Sequence, residues 1–398
     1  MIKYLGSKRT LLPLISGVID ALPDARTAID LFAGTSRVGQ AMKRAGLRVI
    51  ANDQNAYAAT LARCYVQADR DDVVSDAQKL IAEFNTLPGR PGYVTDTFCE
   101  RSRFFQPKNG ARIDAIREAI VDKGLEPDLE AVCLVSLMEA ADRVDSTCGV
   151  QMAYLKEWSQ RAHHDLALRL PELLPRPKHG RCLALQHDAI DVVTDLSADV
   201  LYLDPPYNQH SYLGNYHVWE SLVLWDKPAV YGKACKRTDN LERKSAFNRK
   251  TTFKAALEDV IRHADARLLL VSFNNEGFIA REEMEALLST RGPVHVIATD
   301  YQRYVGARIG IHNPSGEVVG AISHLRNLEY LYIVDIADNG IDWAAVARHL
   351  QPAPAVGAAS TASTADGRRA RRARLAASSK QRAMPGPVTM STLLTDLP

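Results

Sequence analysis

Residues 28–53 constrain the fold of this chain more than any other stretch. Ala28-Ile29-Asp30-Leu31-Phe32 has the length and apolar character of a buried strand, and it runs directly into the small-residue turn Ala33-Gly34-Thr35-Ser36. The spacing predicts a helix over 37–45 stopped by Gly46, a second strand over 47–51 ending at Asn52-Asp53, and a second helix from Ala56 to Val66. A strand, helix, strand, helix order signals crossover connections, and therefore a parallel sheet with helices on its faces, a doubly wound α/β fold.

Further strands are predicted over 181–187 and 200–203, each ending at an acid, Asp188 and Asp204. Another lies at 268–273, and a pair over 294–299 and 328–334 reads as a closing hairpin. Between the second and third strands, Ile113, Ile116 and Ile120, and then Val132, Leu134, Val135, Leu137 and Met138, recur at helical spacing. The expected organisation is a catalytic domain formed by 1–67 and 181–350, with an inserted helical subdomain over 68–180. A second insertion over 208–250 is rich in Lys, Arg and aromatic residues. From Gln351 onward Ala, Pro, Ser, Thr and Arg dominate without periodicity, so 351–398 reads as a disordered basic tail.

Charge follows this division. The net charge of +2 includes a tail with seven basic and two acidic residues, so the body before it is slightly acidic. Any nucleic-acid surface must then be a local patch or the tail itself. No apolar run reaches membrane-span length and the N-terminus opens no secretory signal. The six cysteines, Cys64, Cys99, Cys133, Cys148, Cys182 and Cys235, are widely spaced and read as reduced thiols of a cytoplasmic protein. They form neither a disulfide framework nor a zinc site. His163, His164 and Asp165 read as a polar face, and no metal is expected.

The chemistry is concentrated where the 200–203 strand runs into Asp204-Pro205-Pro206-Tyr207. Proline has a fixed φ and no N–H, so the main-chain carbonyls there are held stiffly with no competing donor. A carboxylate and a carbonyl beside an aromatic ring suit a planar group bearing an NH₂. Upstream, the Gly34 turn permits close backbone approach to a ligand, and Asp53 ends the second strand where ribose hydroxyls can be held. Gly34 has no glycine two places later, so a dinucleotide fingerprint is absent.

Asp204-Pro205-Pro206-Tyr207, continued by Asn208 to Tyr212, resembles the amino-methyltransferase motif of DNA N6-adenine methyltransferases. Tyr4, Gly6 and Lys8 are similar to the aromatic-x-Gly-x-Lys opening of the Dam-like members. Phe32 and Gly34 match the Phe-x-Gly-x-Gly motif of adenosylmethionine-dependent methyltransferases, with Ser36 where a second glycine often stands. A positive φ at Ser36 would be the weak point of that loop. Asn215-Tyr216-His217, Ser272 to Gly277, Tyr304-Val305-Gly306 and Asn327 to Leu331 are similar to segments of type II modification enzymes. The resemblance covers about 1–334.

That resemblance implies a Rossmann-like class I methyltransferase sheet with S-adenosyl-L-methionine as cofactor. Tyr4, Lys8, Asp30, Phe32, Gly34, Asp53, Asp188 and Asp204 would bind the cofactor. Asp188 stands open between a contact to the cofactor's adenine amine and a surface acid. Asp204, Pro205, Pro206 and Tyr207 would be catalytic, acting on an adenine flipped out of double-stranded DNA, with target recognition in the helical insertion. Tyr207, together with Tyr212 or Tyr216, would hold the flipped base. The cluster Lys233, Lys236, Arg237, Arg243, Lys244, Arg249, Lys250 and Lys254 would grip phosphates, and Arg101 to Phe105 with Lys108 would join the recognition surface. Arg368, Arg369, Arg371, Arg372 and Arg374 read as a DNA-binding arm or as a solubilising appendage. A cognate restriction endonuclease is the implied partner. The alternatives are N4-cytosine methylation and a catalytically dead DNA-binding homologue.

Overall fold

The computed structural model describes residues 1–302, 311–312, 318–320 and 326–350. Tyr304-Val305-Gly306 and the tail lie outside the described residues. Seven strands form the main sheet: β1 Thr27–Asp30, β2 Arg48–Asn52, β3 Leu183–Leu185, β4 Ser197–Leu203, β5 Asp265–Asn274, β6 Val294–Gln302 and β7 Arg326–Asp335. Their spatial order is β3, β2, β1, β4, β5, β7, β6. The first five run parallel, and β7 enters antiparallel between β5 and β6. The expected closing hairpin is this antiparallel pair, with Val334 opposite Val294.

The central strands are apolar on both faces because both faces are covered. In β5, Leu268 and Leu270 enter one core, which holds Ile15 and Val18 of α1 (Leu12–Asp20), Met42 of α2 (Arg37–Arg44) and Trp343. Leu269 and Val271 enter the other core, against Leu257 and Val260 of the helix Lys250–His263 and Met284 of the helix Arg281–Leu288. In β4, Val200 and Tyr202 alternate with Leu201 and Leu203 in the same way. This is a Rossmann-like α/β fold.

The helical insertion shares a third core with the sheet domain. Helices α3 (Ala56–Ala62), α4 (Arg70–Thr86), α5 (Pro107–Asp122) and α6 (Pro127–Arg143) follow β2. Ile113, Ile116 and Ile120 of α5 pack with Val132, Val135 and Met138 of α6, and with Tyr57 and Leu61 of α3 and Trp219. The predicted helix from Ala56 to Val66 ends in a wider π-type turn, Arg63–Gln67. The helical reading of 68–180 holds only as far as Arg143. Between there and β3 the regular structure is one short turn, Gln160–His163. Pro171, Pro175 and Pro177 account for part of this, since each removes a backbone donor.

Candidate active site

Parallel strands bring their carboxyl ends to one edge. There Asp30 ends β1, Asp53 follows β2, Asp188 follows β3 and Asp204 follows β4. β1 lies between β2 and β4, which is where strand order reverses and where doubly wound sheets open a crevice. A solvent-open cleft of about 860 Å³ occupies this position. All four aspartates line it, with Tyr4, Gly6, Ser7 and Lys8 of the N-terminal segment and the turn at Gly34.

The turn is built from two left-handed residues, Gly34 at φ +50° and Ser36 at φ +60°. Ser36 N–H closes it on the Ala33 carbonyl at 2.6 Å. A β-carbon on Gly34 would stand 3.4 Å from the Tyr4 ring, so the glycine lets the N-terminal segment lie against the loop. Asp53 accepts the Gly34 N–H at 3.0 Å and the Asn55 N–H at 2.9 Å. Asp30 accepts the Gly39 N–H at 2.9 Å through Oδ2, while its buried Oδ1 has no partner among the described residues. Burial pushes Asp30 up to about 7 against the opposing Gly39 hydrogen bond, and pushes Asp53 up to about 6.

Over the turn, Tyr4 stacks on Tyr216 and on Tyr212, with ring centroids 4.6 Å and 5.2 Å away. The Lys8 ammonium, buried, lies 3.1 Å from Asp204 and also pairs with Glu329. Burial opposes the charge on Lys8, but Asp204 and Glu329 together hold it well above the ordinary lysine value, so it remains an ammonium. Burial raises Asp204 to about 6, with Lys8 lowering it and Glu329 raising it.

Residues 4–287 match the family described as D12 class N6 adenine-specific DNA methyltransferase. The chain belongs to this family. It is 30% identical over 344 residues to the type II methyltransferase M.NlaIII of Neisseria lactamica, covering 83% of this chain and 98% of that protein. It is 32% identical over 309 residues to M.FokI of Planomicrobium okeanokoites, covering 73% of this chain and 47% of that protein. A third relative, M.CviAII of Paramecium bursaria Chlorella virus 1, is 27% identical over 317 residues, 76% of this chain and 92% of that protein. As a D12 enzyme the chain is a site-specific DNA adenine methyltransferase.

Within this D12 methyltransferase, the expected cofactor residues Tyr4, Lys8, Asp30, Phe32, Gly34, Asp53, Asp188 and Asp204 all line the one cleft, as do Pro206 and Tyr212. Pro205 is buried beside it. Tyr207 is half-buried, edge-on to Phe273 with centroids 5.8 Å apart. Asp188 also caps a short helix by accepting the Ile190 N–H at 3.0 Å.

Other expectations are corrected. Tyr216 is 1% exposed beneath Tyr4, and its hydroxyl accepts the Leu5 N–H at 2.6 Å, so its ring supports Tyr4 and is not open to a base. Phe104 and Phe105 are core residues. Arg237 is buried between Asp226 and Asp239, at 2.7 Å and 2.9 Å. Arg243 pairs at 2.7 Å with Glu220, whose carboxylate also accepts the Ala56 and Tyr57 N–H groups at the start of α3. Lys254 pairs with Glu283 at 2.6 Å on the surface and stays exposed. Lys233, Lys244, Arg249 and Lys250 are exposed as well.

Ser245, Phe247 and Asn248 also line the cleft, and nothing in their spacing sets them apart within a basic run. Phe247 stands edge-on to Phe32 at 5.0 Å. Asn248 donates to the Asn208 and His210 carbonyls at 3.0 Å and 3.2 Å, tethering the segment after Tyr207.

Proposed function

We propose that this chain transfers a methyl group from S-adenosyl-L-methionine to the N6 amine of an adenine extruded from double-stranded DNA. The observation that carries the reading is one cleft lined by both the Gly34 turn with Asp53 and the Asp204-Pro206 end of β4. The residues fit this cofactor. Asp30 Oδ1 is a buried acceptor awaiting a donor, Asp53 suits ribose hydroxyls, and four carboxylates suit a ligand carrying positive charge. When bound, the cofactor supplies an electrophilic methyl group on a sulfonium.

The protein's task is to make a poor nucleophile available. The N6 lone pair is delocalised into the purine ring. Asp204 and the Pro205 carbonyl accept the two amine N–H bonds, which favours the pyramidal nitrogen whose lone pair is localised. As positive charge grows on that nitrogen, acceptors already in place stabilise it without reorganising. With a value of about 6, Asp204 is ionised at neutral pH and fit for this role. It need not act as a base, because the proton can leave after transfer. Tyr207 and Tyr212 provide aromatic walls, which return part of the few kcal/mol spent on flipping the base.

Lys244, Arg249 and Lys250 grip phosphates, and the insertion over 68–180 carries target recognition. No helix among the described residues is long and apolar enough to cross a membrane, and a cytoplasmic enzyme working on chromosomal DNA suits the family. Relatives named as type II methyltransferases favour a cognate restriction endonuclease as partner. The test is long-read modification mapping of DNA from a host expressing the chain, compared with Asp204→Ala. N6-methyladenine at one sequence context, absent with the variant, supports the reading. Undiminished methylation by the variant, or N4-methylcytosine in its place, overturns it.

A further inference from the structure

We propose that Glu329 is a positioning residue for methyl transfer: acting through the shared Lys8 ammonium, it keeps Asp204 free to accept from the target amine and leaves the base cup with net negative charge. The proposal rests on Asp204 being the acceptor, and deepens that reading by naming what tunes it.

Glu329 lies 125 positions beyond Asp204, on the antiparallel strand β7, outside the cofactor and base motifs. Side chains of β7 alternate, and Leu331 and Ile333 on the same face as Glu329 are fully buried in the core that packs α1. The pattern thus calls for an apolar residue at 329, yet a carboxylate stands there, 7% exposed. Its position is fixed from two sides. Ser272 of β5, itself fully buried, donates to its Oε1 at 3.0 Å, and the Lys8 ammonium pairs with the same oxygen.

Charge balance shows what this carboxylate does. Lys8 is one cation, and Asp204 at 3.1 Å already neutralises it. Glu329 makes two anions for one cation, in a place where burying a charge is costly. The surplus is therefore not explained by pairing alone. Without Glu329, the ammonium would direct its whole attraction at Asp204 and compete with the amine N–H groups for the carboxylate's lone pairs. With Glu329, the ammonium is drawn toward β7, and one net negative charge faces the nitrogen on which positive charge develops. The other titratable groups around the cluster are Tyr202 and Asp30 at the strand ends, with Tyr207 and Tyr212 on the segment after β4.

The test compares wild type, Glu329→Gln, Glu329→Asp and Asp204→Ala as full-length protein. DNA containing the mapped site and S-adenosylmethionine are the ligands. Glu329→Gln is expected to keep its thermal transition and to bind both ligands within about twofold of wild type. Its single-turnover rate should fall roughly ten- to a hundredfold. The acid limb of the rate profile should move to lower pH, because Lys8 then acts undivided on Asp204. Glu329→Asp, which keeps the charge, should recover part of the rate. A purely structural Glu329 would lower the rate without moving the acid limb, and that result, or a wild-type rate, overturns the proposal. If Glu329→Gln does not fold, Ser272→Ala reports instead. It leaves both charges and loosens one, and an undiminished rate there overturns the proposal equally. Asp204→Ala separates the two levels: turnover in that variant removes the acceptor reading itself, whereas an inactive Asp204→Ala beside a fully active Glu329→Gln removes only the role of Glu329.

Discussion

The Asp53 carboxylate accepts the Gly34 N–H at 3.0 Å, joining the end of β2 to the turn that follows β1. The same carboxylate accepts from the Asn55 backbone at 2.9 Å and side chain at 3.1 Å, so it organises both loops of the cofactor side at once. Asp53→Ala should lower affinity for S-adenosylmethionine at least about tenfold by calorimetry, since it removes both the proposed ribose acceptor and the hold on the turn. Affinity for DNA should stay within about twofold, because the proposed DNA surface draws on the exposed cations of the second insertion. Equal losses of both affinities would show instead that Asp53 holds the whole domain together.

Ser36 stands where methyltransferases often carry glycine, and its φ of +60° shows why glycine is common there. Left-handed backbone costs an L-residue about 1–2 kcal/mol, and the buried Ser36 hydroxyl has no partner among the described residues to offset it. Ser36→Gly should therefore be neutral or stabilising in urea unfolding and keep cofactor affinity. Ser36→Val, β-branched and bulkier in a fully buried place, should destabilise by more than about 2 kcal/mol. A tolerated valine would mean that the turn is less confined than it looks.

The raised carboxylates set two pH dependences of opposite consequence. If turnover proceeds through ionised Asp204 as proposed, the acid limb of the single-turnover rate should lie near pH 6 and vanish with the activity in Asp204→Asn. Stability runs the other way. Asp30, raised to about 7, and Asp53, raised to about 6, bind protons more tightly folded than unfolded. Their contribution to stability is present below the unfolded value near 4 and is lost as pH rises through the folded values. The ligand-free protein should therefore show a higher Tm at pH 5.5 than at pH 8, with the difference shrinking in Asp30→Asn. A Tm that rises with pH over this window would contradict the burial of these acids.

The catalytic half of the fold was legible because its signals are local. A strand of 28–32, a small-residue turn and an acid after each strand need only neighbouring residues to be recognised, and they converge at one sheet edge because parallel strands all end there. What was not legible depends on distant partners. Tyr216 reads as an aromatic beside the base motif until Tyr4, far away in sequence, is seen lying on it. Glu329 reads only as one member of the Asn327 to Leu331 segment, with no role of its own, until Lys8 and Ser272 meet it. The basic run 233–254 reads as a uniform patch, although two of its charges, Arg237 and Arg243, turn to acids that composition does not pair with them.

That division of the basic run can be tested. Glu220 has no exposed side-chain area, and Arg243 is its charged partner at 2.7 Å. Arg243→Ala leaves that carboxylate buried with only the amides of α3, and should destabilise by about 1–3 kcal/mol in urea unfolding while leaving the salt dependence of DNA binding unchanged. Lys244, Arg249 and Lys250 are exposed, so replacing all three by alanine should leave Tm unchanged. Every cation withdrawn from a phosphate lowers the slope of log K against log salt by about 0.9, so the triple variant should flatten it by about 2 to 3. An unchanged slope in the triple variant, or a flattened one in Arg243→Ala, would reverse the assignment of which cations face DNA and which hold the second insertion against α3.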